Sequence, residues 1–131
     1  MKPKPLSEAQ IQEACATMLA YDGWRRVRTD MKQLRGMGVQ EPGMADDLFI
    51  RYATMPQWAG EAPDFVALCE AMWIEWKSKR GKAGDHQRAW QTLERKRGAL
   101  VLLAGEDVPA SIEGFRDWYK ASGLMRKRIL S

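Results

Sequence analysis

Six consecutive apolar residues, Ala99-Leu100-Val101-Leu102-Leu103-Ala104, constrain this chain more than any other feature. The run has strand length, and an unbroken apolar strand calls for cover on both faces. Just before it, Asp85 to Arg97 shows helical spacing, with Trp90 and Leu93 assigned to the buried side and Gly98 closing the helix. Further upstream, Met72 to Ser78 reads as a strand and Arg80 to Gly84 as a turn. A helix joining two neighbouring strands is a crossover that makes them parallel.

The N-terminal half supplies the remaining elements. Ser7-Glu8-Ala9-Gln10 forms a capping box that opens a helix. Ile11, Ala14, Cys15, Met18 and Leu19 then share one helical face, and Asp22-Gly23 ends it. Trp24 to Thr29 alternates large apolar with basic residues, as a strand does, and Asp47 to Ala53 reads as a second strand. Residues 35–45 and 54–63 are rich in glycine and proline and read as loops, while 64–71 is ambiguous. Pro109 to Ala121 carries Ile112, Phe115, Trp118 and Tyr119 at helical spacing, and Gly123 stops it before a basic tail. The expected order is α-β-β-β-α-β-α, a mixed β-sheet flanked by helices in one α/β domain over residues 1–131.

Composition narrows the class. The 131 residues are 45% hydrophobic and 29% charged, the balance of a globular domain able to bury a core without staples. No apolar run approaches the ~18 residues of a membrane span. Met1-Lys2-Pro3-Lys4-Pro5 is followed by no signal-like stretch, so a cytoplasmic protein is expected. Cys15 and Cys69 lie far apart in no metal-ligand pattern and are read as small buried hydrophobes. The net charge is +4. Basic residues gather at 25–28, 77–82, 95–97 and 126–128, apart from the acids. This spacing suits a polyanion-binding face and equally suits several solvated helix ends.

Chemistry concentrates at Trp73-Ile74-Glu75-Trp76-Lys77. Strand alternation sends Ile74 and Trp76 to one face and leaves Glu75 and Lys77 together on the other. A carboxylate can hold Mg²⁺, and the cation neutralises phosphate charge and makes hydroxide available. The ammonium can orient a water or offset charge on phosphate oxygens. A hard cation needs a second acid, for which there are two candidates. Asp46 stands at the entry of the second strand. Asp64 shares a face with Glu75 if residues 64–69 form a strand that turns at Glu70-Ala71 and pairs Cys69 with Met72.

The ordered combination of Glu75-Trp76-Lys77, a glycine-containing turn, His86-Gln87-Arg88-Ala89-Trp90, Leu93, Gly98 and Val101-Leu102-Leu103 resembles the VRR-NUC family. That family is a branch of the PD-(D/E)XK nucleases found in phages and bacteria. The resemblance covers roughly residues 6–104, leaving a C-terminal helix and basic tail at 109–131. It implies a restriction-endonuclease-like fold and a Mg²⁺- or Mn²⁺-dependent DNA endonuclease. Glu75 and Lys77 take the Glu-x-Lys positions, and Gln87 takes the helix glutamine. The preceding acid maps to Asp46 if Gly43-Met44-Ala45-Asp46 stands for Gly-x-Pro-Asp, and to Asp64 if the literal Pro63-Asp64 is preferred. Asp46 is favoured because it keeps the glycine and the strand that follows.

The resemblance also implies a glutamate on the first helix, for which Glu8 fits better than Glu13, and a strand carbonyl near Trp76 as a further cation ligand. Arg25, Arg28, Lys79, Arg80 and Lys82 are the expected phosphate contacts. Stand-alone members of the family imply homodimers acting on branched DNA, four-way junctions included. The competing expectation is a non-catalytic nucleic-acid-binding or phage assembly module on the same fold. His86, the only histidine, is assigned a structural or DNA-contact role. Trp24, Trp76, Trp90 and Trp118 are assigned to the core, and Trp58 to a loop.

Overall fold

The computed structural model describes residues 4–29, 43–52, 69–76 and 84–126. Helix α1 spans Glu8–Tyr21 and begins where the capping box places it. The Gln10 N–H donates to Ser7 Oγ at 3.1 Å, and the Ser7 N–H to Gln10 Oε1 at 2.8 Å. Strands β1 (Arg25–Arg28), β2 (Asp47–Tyr52) and β3 (Cys69–Glu75) follow, then α2 (Asp85–Lys96), β4 (Leu100–Leu103) and α3 (Ile112–Ala121). The chain is thus mixed α/β, with three helices and one four-stranded mixed sheet among the described residues.

Sheet order equals chain order, β1-β2-β3-β4. The first two pairings are antiparallel, and β3 runs parallel to β4 through the α2 crossover. Alternation sets the faces. Phe49, Met72, Ile74 and Trp76 point to one side, where they pack with Leu19 of α1 and with Phe115 and Tyr119 of α3. On the other side, Val101 and Trp73 meet Trp90 of α2 together with Met44 and Ala45. Trp73 and Trp90 cross edge-to-face with centroids 5.0 Å apart. Val101, Leu102 and Leu103 are all buried, so the apolar run is covered on both faces. No helix among the described residues is long and apolar enough to cross a membrane.

Several local expectations are corrected. Strand β3 begins at Cys69, because β2 continues its pairing as far as Tyr52 and takes Cys69 as its partner. Glu70 and Ala71 therefore lie inside a strand and not at a turn, which removes the hairpin that would have aligned Asp64 with Glu75. Cys69 is exposed rather than buried, whereas Cys15 is buried. Leu93 is 55% exposed, since the inward stripe of α2 runs through Gln87, Trp90, Gln91 and Glu94 and leaves Leu93 to its side. Helix α3 starts at Ile112, where Ser111 is the N-cap and accepts from the Gly114 N–H at 3.0 Å. Asp64, Trp58 and the 77–82 basic run lie outside the described residues.

Candidate active site

Asp47 pairs with Ile74 in the antiparallel β2–β3 ladder. Carrying that register one step further sets Asp46 opposite Glu75, on the face away from α1 and α3. Two hydrogen bonds tie Asp46 to Glu75 and to the residue that follows it. The Asp46 N–H donates to Glu75 Oε2 at 3.0 Å, and the Trp76 N–H donates to Asp46 Oδ2 at 2.9 Å. Glu75 is only 3% exposed and Asp46 is half-buried. Like charges placed directly opposite on a sheet repel, so donors and cations are what hold such a pair.

Helix α2 supplies one of those donors. Gln87 Nε2 donates to Glu75 Oε1 at 2.6 Å, while Gln87 Oε1 accepts from the Gly84 N–H at 3.0 Å. One amide therefore ties the first turn of α2 and orients the glutamate. Helix and loop meet closely at this point. Gly43 has φ +80°, and a Cβ there would lie 2.2 Å from the His86 carbonyl oxygen. Only glycine allows this approach. From there Met44 and Ala45 run over the Trp90 cluster and deliver Asp46, whose carbonyl accepts from the Thr29 N–H at 2.9 Å. Ala45, standing where the resembling family has proline, is fully buried.

Asp46, Glu75, Trp76 and Gln87 are thus brought together. Glu8 is exposed in the first turn of α1, and one turn further on Gln12 takes the buried position. Among the described residues, no group of three or more His, Cys, Asp or Glu side chains is arranged to hold a metal ion. Lys77, Lys79, Arg80, Lys82 and Asp64 lie outside the described residues. Arg25 is exposed, and Arg28 stands 3.6 Å from Glu13. His86 is exposed and presents its backbone carbonyl to Gly43.

Behind the site lies a polar group that the sequence reading passed over. Asp47 is fully buried on the opposite face from Asp46. Its Oδ2 accepts from Trp76 Nε1 at 2.8 Å and from Gln12 Nε2 at 2.9 Å, and its Oδ1 from Arg26 Nε at 2.9 Å. A signal was present in the sequence. Of two consecutive aspartates entering a strand, one must face inward, and a buried tryptophan indole needs an acceptor.

No protein-family model, curated protein or solved structure matches the chain.

Proposed function

We propose that this chain is a metal-dependent DNA endonuclease with a restriction-endonuclease-like fold of the VRR-NUC type, hydrolysing phosphodiester bonds in branched DNA. The observation that carries the reading is the hydrogen-bonded Asp46–Glu75 pair on adjoining strands, backed by Gln87. The donor set fits a hard cation. Both side chains offer carboxylate oxygens, and Mg²⁺ is commonly held by one or two carboxylates with waters and substrate phosphate completing its shell. When bound, the divalent cation supplies Lewis-acid neutralisation of the scissile phosphate and activation of water.

The chain's own residues divide the work. Asp46 and Glu75 would hold the cation, with the Trp76 carbonyl as a further oxygen. Gln87 keeps Glu75 from turning away, and the Trp76 N–H does the same for Asp46. Lys77, next but one to Glu75, aligns the attacking water and offsets charge on the phosphate oxygens. Water adds to phosphorus, one P–O ester bond breaks, and the departing oxygen leaves as an alcohol once protonated.

The test is cleavage of duplex, flap and four-way-junction DNA with Mg²⁺, Mn²⁺ or EDTA. The expected result is metal-dependent cutting, with the junction preferred. Asp46→Asn and Glu75→Gln should each lower the rate more than about 100-fold, beyond what loss of an outer-shell partner costs. Lys77→Ala should lower it about 100-fold or more, and Asp64→Ala should leave it intact. DNA binding without cutting under any of these conditions would identify the non-catalytic module instead.

A further inference from the structure

We infer that Asp47 is a positioning residue for the candidate metal centre, acting through Trp76; this rests on the reading of Asp46 and Glu75 as cation ligands. Trp76 is gripped twice by consecutive aspartates from opposite faces of the sheet. Its indole N–H donates to Asp47 Oδ2 at 2.8 Å, and its backbone N–H donates to Asp46 Oδ2 at 2.9 Å. The indole therefore fixes the peptide that in turn holds the Asp46 carboxylate and follows Glu75. A rotation of that peptide would release Asp46.

Asp47 is itself held from three elements. Gln12 reaches it from α1, Arg26 from β1 and Trp76 from the end of β3. Arg26 also pairs with Glu13 at 2.7 Å, so the anchor is braced from the helix surface through the sheet. A buried carboxylate is tolerated only with such partners, and all three donors are satisfied at one side chain. One of the three donors is the side chain of Trp76, whose own backbone N–H holds Asp46, so the anchor and the site share that residue. Sharing a residue with the site is what outer-shell partners of metal centres do.

The experiment measures Mn²⁺ affinity by electron paramagnetic resonance on the full chain, at a temperature where circular dichroism shows every variant folded. Asp47→Asn keeps the shape and one acceptor. Trp76→Phe removes the indole N–H and keeps an aromatic ring against Phe115, so it tests the idea even where Asp47→Asn folds poorly. Trp24→Phe is the control, because it removes a buried indole hydrogen bond to Tyr119, a residue that takes no part in the site. Both site variants should bind Mn²⁺ about 10–100-fold more weakly than wild type. The double variant should be no weaker than the worse single one, since both act through one contact. Trp24→Phe should melt earlier with unchanged Mn²⁺ affinity. Wild-type affinity in Asp47→Asn and Trp76→Phe, with only their melting temperatures lowered, overturns the positioning role and leaves the metal centre standing. Absence of Mn²⁺ binding by wild type overturns both.

Discussion

The Tyr119 hydroxyl sits where three buried groups converge. It accepts from Trp24 Nε1 at 2.8 Å and Arg51 Nη1 at 3.3 Å, and it donates to Asp22 Oδ2. Arg51 is 3% exposed, lies 4.3 Å over the Trp24 ring and pairs with Asp22 at 2.9 Å. Burial, and then the hydrogen bond to Asp22, push the Tyr119 hydroxyl from 10.0 up to about 12. The consequence for stability has a definite sign. Between pH 10 and 12 the unfolded chain has released this proton and the folded chain has not, so stability is full below pH 10 and falls as pH rises to 12. Tyr119→Phe removes that dependence and strands the Trp24 N–H, at a cost of about 1–3 kcal/mol. Melting curves from pH 8 to 12 should show Tyr119→Phe several degrees less stable at pH 8, with the gap narrowing toward pH 12. A constant gap would show that the hydroxyl does not titrate as described. Residues of this kind were illegible in sequence. Asp22 read as a helix stop because its partners, Arg51 and Tyr119, lie 29 and 97 positions away. The nearness of Asp46 to Glu75 was expected only through the family resemblance, because alternation along one strand does not report which residue of the next strand lies opposite.

At the scale of elements, the order of helices and strands was legible because each segment's apolar period agreed with its end signals. The capping box opened α1, and the apolar run with its preceding helix announced the β3-α2-β4 crossover. What could not be read was register. A strand starting at Met72 and one starting at Cys69 have similar local patterns, and only the length of β2 decides between them. The same limit hid the contact between the Gly43 loop and α2, since no local pattern reports which backbone approaches which. That contact has a measurable consequence. Gly43 and Gly98 both have positive φ, at 80° and 96°, but a Cβ at Gly98 meets nothing within 4 Å. Gly98→Ala should therefore cost only the left-handed strain, about 1–2 kcal/mol. Gly43→Ala adds a collision with the His86 carbonyl and must push the loop away from α2. Urea unfolding should show Gly43→Ala the less stable by at least about 1 kcal/mol beyond Gly98→Ala, in the range of an overpacked site. It should also lose cleavage, because Asp46 and Gln87 are carried by the two segments forced apart. Equal stability of the two variants would show that the loop does not press on the helix.

At the scale of the whole molecule, basic residues that stand apart from acids in the sequence do not stay apart after folding where the structure describes them. Arg88 pairs with Glu106 at 2.7 Å, Arg95 with Asp107 at 2.8 Å and Arg97 with Glu94 at 2.5 Å. Arg126 reaches Glu70, and its backbone N–H donates to Asp22 at 3.0 Å, so it ties the end of α3 to the sheet. Arg26 and Arg51 are spent on Asp47 and Asp22. A net charge of +4 therefore overstates the cations that the described surface offers to a polyanion. For the nuclease proposed above, the expected phosphate contacts would then be Arg25, Lys79, Arg80 and Lys82, with Lys77 joining them and Arg28 shared with Glu13 at 3.6 Å. About five contacts imply that log Kd against log salt has a slope of about 4 to 5, since each neutralised phosphate contributes ~0.9. Binding of four-way-junction DNA in Ca²⁺, measured from 50 to 300 mM KCl, should give that slope. Replacing Lys79, Arg80 and Lys82 together with alanine should reduce it by about 3. Arg95→Ala should leave it unchanged, because Asp107 already satisfies that guanidinium. A slope near 10, or one that drops with Arg95→Ala, would mean that the surface ion pairs open to meet DNA and that many more cations than these five take part.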